Sequence, residues 1–460
     1  MSLLIENARV VGPSGVQPGN ILVEDGKIAA VGPDIRAGGE VIDARGQYVL
    51  PGGVDAHTHF DLDLGAFRAT DDFYTGSVAA ACGGTTTIVD HMAFGPKGCR
   101  LVHQVDVYHE LARDAVIDYS FHGVVQHVDD QVLADMATLV ERGITSYKVY
   151  LTYGGKLDDA DVLRVFARAA ELGLIVCVHC ENDAMIGYLT RKLLAEGHGG
   201  PDGHPRSRPE ACEAEAVYRM IALAGAAGEA PLYVVHLSTG QGLNAIREAR
   251  ARGQRHIFAE TCPQYLLLNE DRYADPVEGL KYIMAPPLRP GQNCDALWSA
   301  LGGGDIDVVA TDHCPFNFHK EKQAGVGDFS KCPGGAPGVE TRMMLMFSEG
   351  FMRGRLSLPE VVRLCCERPA RIFGLYPAKG ALLPGSDADM VFFDPDVEWV
   401  LTHPRLHERV DYTPYEGFVL KGAPTMTLSR GEVVAKNGVP CAARGRGRFI
   451  VRSRSDLDGL

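Results

Sequence analysis

Short apolar runs alternate with helical periodicity through the middle of this 460-residue chain. Between Asp159 and Leu172, apolar residues recur at three- and four-residue spacing, which is typical of a helix with one buried face. Eight runs of strand length are separated by such segments, and eight parallel strands with helices outside them close a barrel. The predicted strands are residues 53–59, 85–92, 118–125, 146–152, 175–180, 232–238, 256–262 and 306–313.

Shorter strands separated by turn residues occupy both ends of the chain. Residues 3–5 and 21–23 are followed by a third strand near Val41, and the same pattern returns at residues 390–393, 418–420, 425–428 and 432–434. Neither end could bury a core alone, so we expect the two sets of strands to pair. The predicted fold is α/β, with a TIM-type (β/α)8 barrel at residues 51–379 and a small β-sandwich built from residues 1–50 and 380–460.

Composition and charge narrow the functional classes. Hydrophobic residues make up 46% of the chain and charged residues 23%, as in ordinary globular proteins. The formal charge of −14 repels phosphate backbones, so we expect no nucleic-acid partner, and we expect the basic segment 444–454 to be solvated or to contact another subunit. The N-terminus lacks a signal-peptide pattern, and no uncharged apolar run approaches 18 residues. We expect a cytoplasmic protein with no membrane partner.

Twelve cysteines are scattered along the chain, several of them within apolar runs. Cys177 and Cys180 have the C-x-x-C spacing of redox pairs. They lie on a predicted strand, however, where side chains three residues apart face opposite sides, and this argues against a bond between them. We therefore expect buried, reduced thiols rather than a disulfide framework.

Polar residues that suit metal binding end several predicted barrel strands, where barrel enzymes place their chemistry. His57 and His59 are two residues apart on one strand, so both imidazoles face the same side. A single histidine of this kind is more often a hydrogen-bonded core residue than a ligand. Four histidines and an aspartate at one end of the barrel instead predict a site for a zinc-like metal. These residues are His57, His59, His179, His236 and Asp312.

Lys148 lies on a fourth predicted strand, within Ser146-Tyr147-Lys148. An inward ammonium would lose much of its solvation among other cations. Two interpretations remain open from the spacing alone. Either the lysine extends its charge to the rim of the barrel, or its amine has reacted with carbon dioxide to give a carbamate that bridges two metals.

Other titratable residues near strand ends have two interpretations as well. Asp90, Glu181 and Glu260 could be metal ligands, but carboxylates that orient the ligating histidines by hydrogen bonds are the commoner arrangement. We favour that second role for all three. The same interpretation applies to His122 and His313.

The motifs together resemble those of the dihydropyrimidinase-like cyclic amidohydrolases, specifically the D-hydantoinases, and most closely the bacterial D-phenylhydantoinases. The resemblance covers essentially the whole chain. Its specific stretches are Pro51-Gly52-Gly53-Val54-Asp55-Ala56-His57-Thr58-His59, Cys82-Gly83-Gly84-Thr85-Thr86-Thr87, Ser146-Tyr147-Lys148, Val178-His179-Cys180-Glu181-Asn182, Val235-His236-Leu237-Ser238 and Ala310-Thr311-Asp312-His313-Cys314.

The resemblance implies two zinc ions per chain, a hydroxide bridging them, and a carboxylated Lys148 as a further bridge. One ion would be held by His57, His59 and Asp312, and the other by His179 and His236. Asp312 would shuttle a proton from the attacking water to the departing ring nitrogen. Tyr153, five residues after the lysine, would donate to the carbonyl oxygen. The resemblance also implies a homotetramer, with a homodimer as the alternative.

Two segments depart from the family pattern. Relatives bind the cyclic amide through main-chain groups around Ser-Pro-Pro and Asn-Gly, whereas this chain has Ala285-Pro286-Pro287 and Gly334-Gly335. Because backbone atoms make these contacts, we expect Ala285 and Gly334 still to bind substrate. Gly334 makes the placement of its loop less constrained.

The activity implied is hydrolysis of 5-substituted hydantoins, preferably aromatic D-enantiomers, to N-carbamoyl amino acids. Dihydropyrimidinase is the nearest alternative because both rings present the same reacting edge, and allantoinase is a more distant one. Dihydroorotases typically carry an arginine where this chain has Asp61, which disfavours that activity. Non-catalytic scaffold relatives have lost metal ligands, but every expected ligand is present here.

Apolar residues fill the loops that would form the mouth of the site. They could simply pack the loops together, since scattered apolar residues are common on surfaces. A lining for an aromatic substituent is the alternative, and it predicts a preference for 5-phenylhydantoin over hydantoin and dihydrouracil. The residues concerned are Leu62, Leu64, Phe67, Met92, Phe94 and Tyr150.

Overall fold

Strands and helices alternate along the central part of the chain in the computed structural model, which describes residues 2–36 and 38–457. The predicted domain ranges therefore include residues 1, 37 and 458–460, which lie outside the described residues. The strands are β1 (Ser2–Gly12), β2 (Gly15–Glu24), β3 (Lys27–Gly32), β4 (Glu40–Asp43), β5 (Tyr48–Pro51), β6 (Gly53–Thr58), β7 (Thr85–His91), β8 (Asp118–Val124), β9 (Ser146–Tyr150), β10 (Ile175–His179), β11 (Leu232–Val234), β12 (Ile257–Thr261), β13 (Val308–Val309), β14 (Met390–Val400), β15 (Val419–Ser429), β16 (Glu432–Lys436) and β17 (Val439–Pro440).

Helices follow most barrel strands, and short helices continue after the last of them. They are α1 (Phe73–Cys82), α2 (Leu101–Leu111), α3 (Asp130–Glu141), α4 (Asp159–Leu172), α5 (Asp183–Ala195), α6 (Gly203–Ser207), α7 (Glu210–Ala226), α8 (Gly240–Ala251), α9 (Pro263–Leu267), α10 (Gly291–Gly303), α11 (Arg342–Leu345), α12 (Leu358–Val362) and α13 (Arg368–Ile372). Across residues 2–36 and 38–457, no helix is both long and apolar enough to cross a membrane.

Strands β6 to β13 form the predicted parallel barrel in chain order. Each strand pairs with its sequence neighbour, and Thr58 pairs with His313 to join the first strand to the segment after the last. The amide of Asp312 donates to the carbonyl of His57 at 2.9 Å, which strengthens this closure. The C-terminal ends of the strands consequently form one ring, as barrel enzymes require.

Helix α4 shows why the sequence forms the outer layer. The Asp158 side chain accepts a hydrogen bond from the Asp161 amide at 2.9 Å, and Gly173 ends the helix with a φ of +66°. The buried residues Val162, Val165, Phe166 and Ala169 recur with the predicted helical spacing. This stripe packs the helix against the barrel.

Both chain ends contribute to one nine-stranded mixed sheet, as predicted. Strand β5 from the first part pairs antiparallel with β14 from the last, with Val49 opposite Phe392. The sheet curls back on itself, because the amide of Ala388, just before β14, donates to the carbonyl of Gly26 beyond β2 at 2.9 Å. Curling encloses a separate core to which residues of β1, β2, β14 and β15 all contribute.

Two barrel strands end earlier than predicted. Strand β11 stops at Val234 and β13 at Val309, whereas the apolar runs continue to residues 238 and 313. His236 and Asp312 have φ angles of +38° and +54°, which are incompatible with an extended strand. The backbone therefore leaves the sheet at or just before His236 and Asp312, two of the predicted metal ligands.

The basic segment at residues 444–454 is not simply solvated, which corrects that expectation. Phe449 pairs with Tyr119, beside strand β8 of the barrel. Arg452 is only 2% exposed, and its guanidinium donates to the carbonyl of Phe121 at 2.5 Å and to the hydroxyl of Ser120 at 2.9 Å. The segment is therefore part of the barrel's packing.

All twelve cysteines are free, in agreement with the prediction of reduced thiols. Cys177 and Cys180 are both buried. The thiol of Cys180 donates to the carbonyl of Val178 at 3.5 Å, whereas the thiol of Cys177 lies 3.8 Å from Nδ1 of His122. The two sulfurs thus have different neighbours.

Candidate active site

Three of the predicted ligands converge at the open end of the barrel. Nε2 of His57 and Nε2 of His59 each lie 3.1 Å from Oδ1 of Asp312. One ligand atom from each of the three residues falls within 4.8 Å of the others, and His57 and His59 are buried. This set of imidazole nitrogens and a carboxylate oxygen matches the ligands that zinc prefers.

Glu260 fixes the orientation of His57. Nδ1 of His57 lies 2.6 Å from Oε1 of Glu260, so a neutral imidazole donates there and directs the lone pair of Nε2 toward Asp312. Nε2 of His57 and Oδ1 of Asp312 are then two acceptor atoms 3.1 Å apart, which repel each other unless a cation lies between them. Glu260 also accepts from the hydroxyl of Tyr233 at 2.8 Å and the amide of His236 at 3.0 Å. One carboxylate thus orders two ligands, as predicted for Glu260.

His179 and His236 form the second group. Nδ1 of His179 lies 2.9 Å from Nε2 of His236, so both nitrogens can bind the same cation. Burial holds the pKa of His179 below its usual value and that of His236 well below, which keeps the imidazoles neutral. Nε2 of His179 lies 2.8 Å from Oε2 of Glu181. Glu181 therefore orients His179, which is the role predicted for Glu181.

Arg208 in turn keeps Glu181 ionised. Burial opposes ionisation of this carboxyl, but the adjacent Arg208 lowers the pKa of Glu181 to about 2. The Arg208 guanidinium also lies over the ring of Tyr153, 5.7 Å from its centroid. Sequence reasoning missed Arg208, because it follows the short helix α6 and no strand-end signal marks it.

Lys148 lies in the wall of the cavity formed by these residues. It is 1% exposed and pairs with Cys177 across β9 and β10. None of the carboxylates in the described ranges forms an ion pair with its amino group, and Nζ lies 5.2 Å from the centroid of the Tyr150 ring. Burial lowers the pKa of Lys148, which favours the neutral amine. The interpretation of a charge extended to the rim does not fit this burial.

Backbone strain accompanies the site. Tyr153, His236 and Asp312 have φ angles of +72°, +38° and +54°, in the left-handed region that favours glycine. Such conformations cost about 1–3 kcal/mol each and persist where the surrounding structure enforces them, which is common at active sites. All three residues were predicted to act on metal or substrate.

The cavity above the ligands has a volume of about 500 Å³. Most of the predicted lining residues surround it, as do several that sequence reasoning missed. The predicted members are Leu62, Leu64, Met92, Phe94, Tyr150, Tyr153, Ala285 and Gly334. The missed members are Asp63, Gly65, Ala93, Gly154, Cys314 and Gly335.

Phe67 is the exception among the predicted lining residues. Asp63 pairs with Arg68, and the amide of Leu64 donates to the carbonyl of Phe67 at 2.8 Å, so this loop makes a tight turn. Leu64 lines the cavity, whereas Phe67 lines a separate depression with Arg68 and Asn317. The expectation that Phe67 contacts substrate is corrected accordingly.

Aromatic rings form one wall of the cavity. The ring centroids of Phe94 and Tyr150 lie 5.1 Å apart, edge to face, and those of Tyr153 and His179 lie 5.2 Å apart. Leu64 and Tyr153 are 49% and 41% exposed, which places them at the mouth. An apolar group could therefore pass this mouth and reach the metal ligands.

The remaining polar residues at strand ends form hydrogen bonds with other parts of the barrel. Asp90 accepts from the hydroxyl of Thr58 at 2.7 Å and the amide of Phe60 at 2.9 Å. Among residues 2–36 and 38–457 it bonds none of the histidines predicted as ligands, so the role of orienting them is corrected for Asp90. His122 bonds the hydroxyl of Ser146 and the carbonyl of Ala56. His313 lies 3.1 Å from Asp71 through Nε2. These contacts order the backbone around the ligands.

Comparisons with known proteins agree with this geometry. Residues 48–434 match the model of the amidohydrolase family. Over 455 residues the chain is 51% identical to the D-phenylhydantoinase of Escherichia coli O1:K1, covering 98% of each. Its structure is similar to those of the dihydropyrimidinase from Brevibacillus agri NCHU1002 (TM-score 0.97, 43% identity, 99% of both chains) and the D-hydantoinase from Bacillus sp. AR9 (0.96, 42%, 98% of this chain and 99% of that one).

Proposed function

The chain belongs to the amidohydrolase family, and from this premise we propose the substrate and chemistry of its cavity. It is a cyclic amidohydrolase that hydrolyses the ring of hydantoins, an activity supported by similarity over nearly its whole length to D-phenylhydantoinases and D-hydantoinases. The observation that carries this function is the complete ligand set, gathered at one end of the barrel below an apolar cavity.

The residues fit a pair of divalent ions, most simply zinc. His57, His59 and Asp312 would hold one ion, and His179 and His236 the other. Lys148 would bridge them as its carbamate, because an unpaired buried ammonium would oppose both cations. When bound, two such ions acidify a water and polarise a carbonyl.

Asp312 and Tyr153 supply the proton chemistry. Asp312 accepts the proton of the attacking water and returns it to the ring nitrogen, which must be protonated because an amide anion is a poor leaving group. Packing around the Tyr153 hydroxyl raises the pKa of this phenol, so it keeps its proton and donates to the carbonyl oxygen as charge develops.

Main-chain groups would bind the ring itself. Ala285 and Gly334 both line the cavity, and neither offers a polar side chain. The amide of Gly335 donates to the carbonyl of Ile283 at 3.1 Å, which holds the two segments side by side. Backbone recognition explains why the departures from Ser-Pro-Pro and Asn-Gly are compatible with substrate binding.

The apolar wall favours an aromatic substituent. Leu64, Phe94 and Tyr150 would contact a phenyl group at carbon 5, whose burial is worth about 1.5–3 kcal/mol. Dihydropyrimidinase remains the second candidate, because a protein of that name has nearly the same fold. The product of hydantoin opening is an N-carbamoyl amino acid.

Two further activities receive no support from the site. Asp61 accepts from the amide of Phe73 at 3.1 Å and from Arg68 at 2.6 Å, so its position supplies no cation for a dihydroorotate carboxylate. A non-catalytic scaffold role would not require the intact ligand set. Allantoinase remains a distant alternative.

A kinetic panel tests the proposal. The metal-loaded protein is assayed with D- and L-5-phenylhydantoin, hydantoin, dihydrouracil, allantoin and dihydroorotate. We expect the highest kcat/KM for D-5-phenylhydantoin. A higher value for dihydrouracil would move the assignment to dihydropyrimidinase.

Size-exclusion chromatography with light scattering, run on the same sample, tests the proposed homotetramer against a homodimer.

A further inference from the structure

Lys322 has a buried amino group, and none of the carboxylates in residues 2–36 and 38–457 forms an ion pair with it. Its side chain is 0% exposed, and it lies in a short 3-10 helix between the Asp312 strand end and the Gly334 loop. Within the described residues, its two hydrogen-bond partners are both main-chain carbonyls. A buried amino group is costly unless it is hydrogen-bonded, so these two contacts are the reason that a lysine is tolerated here.

The two carbonyls belong to the two segments proposed to bind the cyclic amide. Nζ of Lys322 donates to the carbonyl of Ile283 at 2.9 Å and to that of Pro333 at 3.1 Å. Ile283 stands two residues before Ala285, and Pro333 immediately precedes Gly334. One amino group thus spans both segments, since its N–H donors can point to separate acceptors.

The Gly334 loop is also hydrogen-bonded to the backbone that follows Asp312, a proposed metal ligand. The amide of Cys314 donates to the carbonyl of Ala336 at 3.0 Å, and His313 pairs with Ala336. His313 directly follows Asp312. Lys322 therefore adds a second link between the Gly334 loop and the Ala285 segment, beside the hydrogen bond from the Gly335 amide to the Ile283 carbonyl.

Gly334 explains why such a link is needed. A Cβ at this position would come no closer than 3.9 Å to the Met284–Ala285 backbone, so close packing does not require glycine there. Without a side chain, however, the loop has more conformational freedom. The backbone hydrogen bond from Gly335 to Ile283 restrains its distance from Ala285 at one point, and the Lys322 amino group provides a second restraint outside the cavity.

We propose that Lys322 is a positioning residue for the cyclic amide, which fixes the spacing of the Ala285 and Gly334 main-chain groups by holding the carbonyls of Ile283 and Pro333. Lys322 does not touch substrate. The inference rests on the proposed function, because that function assigns substrate binding to these two segments.

Lys322→Met tests the role, since it keeps the length of the side chain and removes every donor. We expect KM for 5-phenylhydantoin to rise at least about tenfold, because misplacement by about an ångström can cost 10²-fold. The effect on kcat should be smaller, since binding contacts present in both ground and transition states act on KM. Metal content should not change. Lys320→Met, at an 80% exposed position two residues earlier, is the matched control and should behave as wild type.

Lys322→Gln decides the matter if the methionine variant does not fold. Its amide retains donors that can reach one carbonyl, so we expect a smaller rise in KM than for methionine. A folded, metal-loaded variant of either kind with wild-type KM would overturn the proposal. Loss of metal together with kcat, at unchanged KM, would do so as well, because it would indicate a general structural role.

Wild-type activity separates this inference from the proposed function. A wild-type protein that opens no cyclic ureide would refute the function itself. Hydrogen exchange at the Gly335 amide, which donates to Ile283, then tests Lys322 independently. Faster exchange in Lys322→Met than in Lys320→Met would support the positioning role, and equal exchange would overturn it.

Discussion

At the scale of single residues, the site depends on carboxylates in two roles. Glu260 and Glu181 orient histidine side chains by hydrogen bonds, and Asp312 faces His57 and His59. Oδ1 of Asp312 lies 3.1 Å from Nε2 of His57 and 3.1 Å from Nε2 of His59. The site proposed for one metal ion therefore includes the carboxylate proposed to shuttle the proton. The positive φ of Asp312 places it away from the strand, where it faces both histidines.

Asp312→Asn should lower kcat by about 10²–10⁴, because the amide cannot shuttle the proton. Metal analysis of the same sample distinguishes loss of proton transfer from loss of coordination. Near-normal turnover would remove Asp312 from the mechanism.

Tyr153→Phe should lower kcat by about 10²–10³, because the ring remains but the donor to the carbonyl oxygen is lost. Stopped-time assays with 5-phenylhydantoin measure the effect. Tyr188→Phe, at a 62% exposed position on α5, is the control and should leave turnover unchanged. A wild-type kcat for Tyr153→Phe would show that another group serves the oxygen.

Lys148→Ala should remove metal and activity, because the proposed bridging carbamate is lost. Short carboxylic acids such as propionate should restore part of both by supplying a carboxylate. Elemental analysis and rate measurements with and without the acid test this. Full metal content and full activity in the untreated variant would contradict the bridge.

At the scale of elements, strand order and ligand placement follow from the sequence, but the ends of strands do not. The apolar runs at 232–238 and 306–313 predict long strands, yet pairing stops at Val234 and Val309. Apolar periodicity reports burial, and both segments stay buried after they leave the sheet. The positive φ angles that end the strands could not be predicted from residue type, because His and Asp adopt positive φ more often than most residues but do not require it.

Loop placement shows the same limit. Leu64 and Phe67 have equal apolar character in the sequence, but the turn between them separates their side chains into different depressions. Cys314 could have been found, because it follows Asp312 by two residues at the same strand end. Lys322 carries no such signal, since its role depends on two loops that only the fold brings together.

Phe94→Ala should reduce the preference for 5-phenylhydantoin over hydantoin, because the aromatic wall loses the ring that packs against Tyr150. The expected loss in the kcat/KM ratio is about one to two decades, corresponding to burial of one phenyl group. Leu64→Ala, at the mouth, should act in the same direction. Leu163→Ala on the outer face of α4 is the control, and an unchanged ratio in Phe94→Ala would contradict the proposed contact.

At the scale of the whole molecule, the barrel contains the candidate active site, and the two chain ends form a separate sheet. Pairing of the chain ends was predictable, because two small strand sets with apolar faces need each other. The packing of residues 444–454 against the barrel was not, because a run of arginines indicates a solvated surface when only charge is considered. Burial of Arg452, with no carboxylate partner in the part of the chain that the structure describes, is a property of the assembled fold.

The purified protein should contain two divalent ions per chain, most simply zinc, because the donor groups form two sets. Elemental analysis of an active sample measures this. Dialysis against a chelator should abolish activity, and added zinc should restore it. Fewer than about one ion per chain in a fully active preparation would contradict the two-metal mechanism.

The contact between Arg452 and strand β8 also bears on how the protein is made. Strand β5 needs β14 as its neighbour, and the backbone beside Tyr119 needs Phe449 and Arg452. A nascent chain on the ribosome can assemble barrel strands as they emerge. It cannot complete either contact until nearly all residues have been translated. Until synthesis is almost finished, the emerging barrel therefore lacks the donor to the Phe121 carbonyl and the Phe449 ring that packs against Phe121.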